Sequence, residues 1–180
     1  MNSPAPHAGR PHGAPHLELD APAKVNLAML YHSRGENEKA ERLLREVVAK
    51  HPDLYDAAYS LGLLLAEMGK SEEALTYLER AAKGLPERSR VHYNLGLLLQ
   101  ALKRDPQAEA SLQKALGLEP TNMDYLYALA DFYLKRNRLA EAKKVAEKMV
   151  AAHPDQRVGK ELLEIIERGH KNRSSVISNQ

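Results

Sequence analysis

The segment Leu61-Gly62-Leu63-Leu64-Leu65 returns 34 residues later as Leu95-Gly96-Leu97-Leu98-Leu99, and this internal repeat limits the possible folds more than any other feature of the chain. The same step upstream finds Leu27-Ala28, and downstream Leu129-Ala130, so a leucine followed by a small residue occurs four times in register. Further series share the step: Ala40, Ala74, Ala108 and Ala142; Leu44, Leu78, Leu112 and Ala146; Val47, Ala81, Ala115 and Met149; and Pro52, Pro86, Pro120 and Pro154. A chain built this way stacks copies of one supersecondary unit and buries a continuous core only between neighbours.

Each unit reads as two helices and a stop. The first run spaces its apolar residues along one helical face, and Ala28, Gly62, Gly96 and Ala130 leave room for a second helix to approach. Alanine recurs at the crossing point of the second helix. The proline then forbids continuation, and the residue after it, as in Pro52-Asp53 and Pro120-Thr121, is expected to cap the next helix. Gly35 and Gly69 stand where a first helix ends and predict a left-handed C-terminal turn.

On these residues the chain resembles the tetratricopeptide repeat family, whose unit is a 34-residue helix-turn-helix. Four repeats are placed at 21–54, 55–88, 89–122 and 123–156. The resemblance implies an all-α fold, a right-handed α-solenoid of four helix pairs. Departures from the family pattern are local. The bulky aromatic near the start of the first helix is replaced by Lys24, Ala58, His92 and Leu126, and the turn glycine by Lys103 and Asn137. Pro106 is expected to start the second helix of the third unit.

Val158, Leu162, Leu163, Ile165 and Ile166 predict one more amphipathic helix, over 157–169, that covers the apolar end of the stack. A polar tail follows at 170–180. Residues 1–20, rich in proline, histidine and glycine, hold too little apolar content to fold alone, with Leu17 and Leu19 their expected anchors.

Composition removes other classes of function. There is no cysteine, hence no disulfide framework, thiolate metal site or cysteine nucleophile. A formal charge of +2 gives no electrostatic basis for nucleic-acid binding. No stretch approaches the roughly 18–20 apolar residues of a membrane span, and the first residues lack the core of a secretory signal, so a soluble chain with the cytoplasm as default compartment is expected.

No nucleophile, base or metal constellation converges, so neither catalysis nor a cofactor is expected. His51-Pro52-Asp53 and His153-Pro154-Asp155 match the tripeptide of J-domain co-chaperones, but both fall at the same repeat position, where proline ends a helix. His7, His12 and His16 would order a flexible segment at large entropic cost before ligating a metal. His32 and His92 read as wall residues of their first helices.

The resemblance further implies that repeat positions two, five, nine, twelve and thirteen of each first helix face a concave surface. Position five holds Val25, Tyr59, Tyr93 and Tyr127; position nine holds Met29, Leu63, Leu97 and Asp131. Flanking them are Asp56, Glu67, Arg90, Gln100, Asp124 and Lys135. Leu61, Gly62 and Leu65 already fill the core face of their helix while Leu63 lies about half a turn away, so the strip reads as a surface for a peptide or protein partner. Packing of the tyrosines between neighbouring first helices is the other reading. The basic clamp with which some family members hold a chaperone's C-terminal carboxylate is not matched: its places hold Val25, Met29, Ser60, Arg90 and Asn94, or, one unit on, Tyr59, Leu63, Asn94, Asp124 and Ala128. A protein-interaction scaffold is the expected function, with a self-assembling homo-oligomer or a docking arm of a larger complex as alternatives.

Overall fold

The computed structural model describes residues 19–177, with side chains to residue 168; His7, His12, His16 and Leu17 lie outside that range. The described residues form nine helices: α1 (Ala21–Ser33), α2 (Asn37–Lys50), α3 (Tyr55–Glu67), α4 (Ser71–Gly84), α5 (Ser89–Ala101), α6 (Asp105–Leu118), α7 (Met123–Lys135), α8 (Leu139–Ala152) and α9 (Arg157–Ile177). The first helices begin 34 residues apart from Ala21 to Arg157, and so do the second helices from Asn37 to Leu139. The architecture is an all-α helical repeat solenoid.

Within a pair, the small residue of the first helix decides how close the second can lie. A Cβ on Gly62 would sit 2.8 Å from Leu78 Cγ, and one on Gly96 2.8 Å from Leu112 Cγ. In the fourth pair the same two places hold Ala130 and Ala146, both fully buried, so a Cβ is admitted on the first helix where the residue set against it is no longer a leucine. Each first helix then reverses through one residue of positive φ: Gly35 (76°), Gly69 (77°), Lys103 (59°) and Asn137 (58°). Lys103 therefore holds a conformation that a β-carbon disfavours.

The backbones of successive first helices approach one another, α1 with α3, α3 with α5 and α5 with α7, whereas those of successive second helices stand further apart. The first helices thus form the inner, tighter layer. Long side chains bridge the gaps of the outer one. The cation just ahead of each second helix reaches back to the preceding second helix: Lys70 to Glu41 at 2.7 Å, Arg104 to Glu72 at 2.8 Å and Arg138 to Glu109 at 2.5 Å. In the first repeat, where no helix precedes, the same place is Glu36.

Three expectations are corrected. Asp53 and Thr121 do not cap the helices that follow, because one further residue intervenes: α3 is entered through Leu54 with no side-chain cap, and α7 through Asn122, whose Oδ1 accepts from the amides of Asp124 (3.1 Å) and Tyr125 (3.4 Å). The last helix does not stop near Arg168 but runs to Ile177, taking in most of the expected polar tail. Beyond Gly169 there is no proline to end it, and one interior glycine costs a helix only about 1 kcal/mol. Finally, α9 covers α8 with Gly159, Leu162, Leu163 and Ile166, while Val158 and Ile165 project to solvent. The packed set follows the i, i+3, i+4, i+7 spacing of one face, and the two exposed residues lie on its flank.

The close helix crossing and the strained turn act in opposite directions. Gly96→Ala is expected to destabilise the chain by about 1–3 kcal/mol through overpacking against Leu112. Lys103→Gly should stabilise it by about 1 kcal/mol, partly offset by the freedom glycine adds to the unfolded chain. Urea denaturation of both variants beside the wild type reads the two signs.

Acidity supplies a second check. The Glu41 carboxyl is held below its usual range chiefly by its hydrogen bond from Lys70, and that of Glu109 chiefly by Arg138. A lowered folded pKa contributes stability that is complete above the unfolded carboxylate value and disappears as pH falls through the folded one. The urea midpoint should therefore hold steady from pH 7 to 5 and drop below about pH 4.5, with a shallower drop in Lys70→Ala.

Candidate functional site

The inner layer brings the eight residues singled out in the sequence, Tyr59, Leu63, Arg90, Tyr93, Leu97, Asp124, Tyr127 and Asp131, onto α3, α5 and α7. Their environments are graded along the array. Tyr59 is half-buried, and its hydroxyl accepts a 2.5 Å hydrogen bond from Asn94 Nδ2 on the next first helix. Burial pushes that hydroxyl's pKa up, with the Asn94 bond opposing. The Tyr93 ring packs on Tyr125 with centroids 4.9 Å apart. Its pKa is raised by burial and then by the Asp124 carboxylate. Tyr127, by contrast, is 51% exposed. The first two tyrosines therefore also tie neighbouring first helices together, and the third stands free.

Sequence reasoning missed Tyr125, which lies at a position occupied by Ala57 and Val91 in earlier repeats. It is 3% exposed, and its hydroxyl is 3.1 Å from Ser89 Oγ. Ser89 also donates to Glu119, whose carboxyl is lowered chiefly by that bond and further by Asn122. Tyr93, Tyr125, Ser89 and Glu119 thus join α5 to α7.

Along the second row, Leu63 is partly buried while Met29 and Leu97 are 46% and 37% exposed. Asp131 pairs with Lys135 at 2.7 Å. Leu97, Gln100, Asp131 and Lys135 line a cavity of about 430 Å³ between α5 and α7. Gln100 Nε2 makes only a long 3.5 Å contact to Asp131, and its buried Oε1 has no partner among the described residues. Arg90 and Asp124 are exposed and form no ion pair there, whereas Asp56 is engaged by Arg88.

The strip has a continuation that one more step of 34 residues would have revealed. Val158 falls at position two and Ile165 at position nine of a fifth first helix, and they are 38% and 57% exposed. α9 packs on α8 without reaching α7, so both residues lie at the end of the array.

Three of the other histidines act as tethers. His32 Nε2 lies 3.2 Å from Glu67, and its Nδ1 lies 3.0 Å from the side-chain oxygen of Asn37. His92 bonds the Pro86 carbonyl at 2.9 Å, and His153 bonds that of Thr121 at 2.5 Å. Among the described residues no cluster of three metal-ligating side chains forms, and no helix is long and apolar enough to cross a membrane.

Two tetratricopeptide repeat models match the chain, one over residues 25–86 and again over 59–122, the other over 106–165. The chain belongs to the tetratricopeptide repeat family, and its family and fold are those of protein–protein interaction scaffolds, which are in general non-catalytic. None of the curated proteins matches it. Among solved structures it is similar to the MamA protein (TM-score 0.77, 18% identity, covering 88% of this chain and 86% of that one). It is also similar to PilF of Pseudomonas aeruginosa (0.71, 24%, 88% and 72%) and to YrrB, described as a TPR protein with an unusual peptide-binding site (0.73, 21%, 86% and 79%). At these identities the likeness shows the fold.

The graded burial predicts graded stability effects. Tyr93→Ala should cost about 3 kcal/mol by emptying the space beside Tyr125, whereas Tyr127→Ala should cost less than about 0.5 kcal/mol. Chemical denaturation of the two single variants makes the comparison.

Proposed function

We propose that the chain is a scaffold that holds a segment of a partner protein in the concave groove of its first helices. One observation carries this reading. Of the seven large apolar side chains exposed among the described residues, Met29, Leu97, Tyr127, Val158 and Ile165 all occupy repeat positions two, five or nine. Exposed apolar residues scattered at random need no explanation, but a set collected on one face marks a contact surface.

The polar groups beside that set support the same reading. Arg90 and Asp124, which form no ion pair among the described residues, select and orient a partner carrying the complementary charges. Gln100 Oε1, buried and unpartnered, accepts a hydrogen bond from a backbone or side-chain N–H of a bound segment. The structural likeness to YrrB, which its description associates with peptide binding, points the same way. A groove of this length supports affinity of about micromolar order.

The anchors of this surface are Leu97 and Tyr127; Tyr59 and Tyr93 also serve the packing, and truncating them mixes binding with stability. Affinity capture from lysate of the source cell, with wild type and Leu97→Ala/Tyr127→Ala side by side, tests the proposal once circular dichroism shows equal helicity. Each truncation should weaken the partner's binding by about 1–2 kcal/mol, so the partner is depleted with the double variant. Equal recovery by both proteins would move the function to another surface.

A further inference from the structure

The outer layer holds a second surface with a different chemistry. Between α6 and α8 opens a cleft of about 850 Å³. Its floor is Leu116, Leu129 and Val145, all nearly buried, and its rims carry Gly117, Ala151 and Ala152. Lys144 and Lys148 also line it, and neither pairs with a carboxylate among the described residues.

Comparison with the earlier repeats explains why this cleft is open and why its charge is unbalanced. Lys148 is the third member of a series with Arg80 and Lys114. Arg80 donates to the Pro52 carbonyl across the α2/α4 gap, and Lys114 reaches Glu87 at 3.5 Å across the next. Where the second gap has Glu87, the third has Thr121, so Lys148 has lost its acid. Tyr77, whose hydroxyl lies 3.5 Å from Arg45 in the first gap, corresponds to the shorter Val145 in the third. Gly117 replaces Lys83, and a Cβ there would meet no atom within 4 Å. The acid and the rim side chain of the second gap and the Tyr77 ring of the first are therefore missing from the third, leaving Lys144 and Lys148 over an apolar floor with one lining carboxylate, Glu141, which Arg138 already engages.

We propose that the cleft between α6 and α8 docks an acidic amphipathic helix of a protein partner, its apolar face on Leu116, Leu129 and Val145 and its carboxylates on Lys144 and Lys148. The shape favours a helix. The stretch from Lys144 to Ala152 spans about 12 Å, two helical turns. Gly117, Ala151 and Ala152 let a helix backbone come close, as Gly62 and Gly96 do inside the array. The charge selects an acidic partner, because any cation brought here meets two lysines. This site opens between the second helices α6 and α8, with Leu129 of α7 in its floor, whereas the concave groove lies along repeat positions two, five and nine of the first helices, and the two are occupied independently.

The test uses the full chain and a fluorescein-labelled 14-residue helical peptide with leucines on one face and glutamates beside them, next to a counterpart with lysine at every glutamate. Fluorescence anisotropy should show saturable binding of the glutamate peptide alone, weakened by added salt. Lys144→Glu/Lys148→Glu should weaken it about tenfold or more. Gly117→Phe, whose Cβ meets no neighbouring atom and whose ring would occupy the cleft, should do the same, with unchanged helicity by circular dichroism. Leu97→Ala/Tyr127→Ala should leave it unchanged. Equal binding of both peptides, or binding insensitive to the lysine pair and to Gly117→Phe, would overturn the proposal. So would sensitivity to the Leu97/Tyr127 variant, which would place the peptide in the concave groove. Saturable binding of sodium dodecanoate with the expected variant dependence, but none of the peptide, would overturn the helix as occupant.

Discussion

The close crossing of the two helices in each repeat sets the geometry on which everything else depends. In the second and third repeats it is made by a glycine with a leucine set against it: the Leu78 side chain and amide fill the space a Cβ would need at Gly62, and Leu112 does the same at Gly96. The fourth repeat reaches the same end with two alanines. What recurs is thus a small residue, glycine or alanine, on the first helix at the crossing, with the space beside it closed as expected of an interior packed to crystal-like density. Because this distance is fixed, each pair behaves as a unit, and the units stack at a constant step from Ala21 to Arg157.

Stacking with that step gives the two layers different chemistry. The first helices touch, so burial decides what their side chains do: Tyr59 and Tyr93 are drawn partly into the packing, and Tyr125 wholly. The second helices stand apart, so the layer is joined by side chains long enough to cross, such as Lys70, Arg104 and Arg138. Exposed ion pairs of this kind contribute little individually. Their effect is a register between neighbours, and a substitution there opens a gap without dismantling the core.

The layers also differ in how much of them was legible in the sequence. Helix number, the crossing residues and the turns follow from a one-dimensional period, and the positive φ at Lys103 and Asn137 was readable because each stands in a glycine's place. The caps were not, since Asp53 and Thr121 follow the proline directly while the helices begin only after a further turn residue. Position five is the clearest case of what a period leaves out. It puts three tyrosines in register, but the burial of each depends on residues that do not repeat, Asn94 beside Tyr59 and Tyr125 beside Tyr93. Tyr127 is exposed, where α9 packs on α8 and does not reach α7. The end of α9 was illegible for a related reason: nothing after Gly169 signals a stop.

A repeat array contributes to function where its repeats differ. Residues that obey the period are explained by stacking, because each neighbour needs the same surface. Residues that break it are released from that requirement. Glu87 becoming Thr121, Tyr77 becoming Val145 and Lys83 becoming Gly117 remove an acid, an aromatic ring and a rim side chain, and no loss of core burial accompanies them, for Leu116, Leu129 and Val145 remain nearly buried. On the inner face, Leu63 becoming Asp131 interrupts an apolar row beside Tyr127, the most exposed tyrosine of the ladder, and adds a carboxylate next to it. Both departures fall at the junction of the third and fourth repeats, on opposite faces. Since each repeat contacts only its neighbours, specialisation at this junction leaves the first two repeats free to keep the regular pattern that stabilises the array.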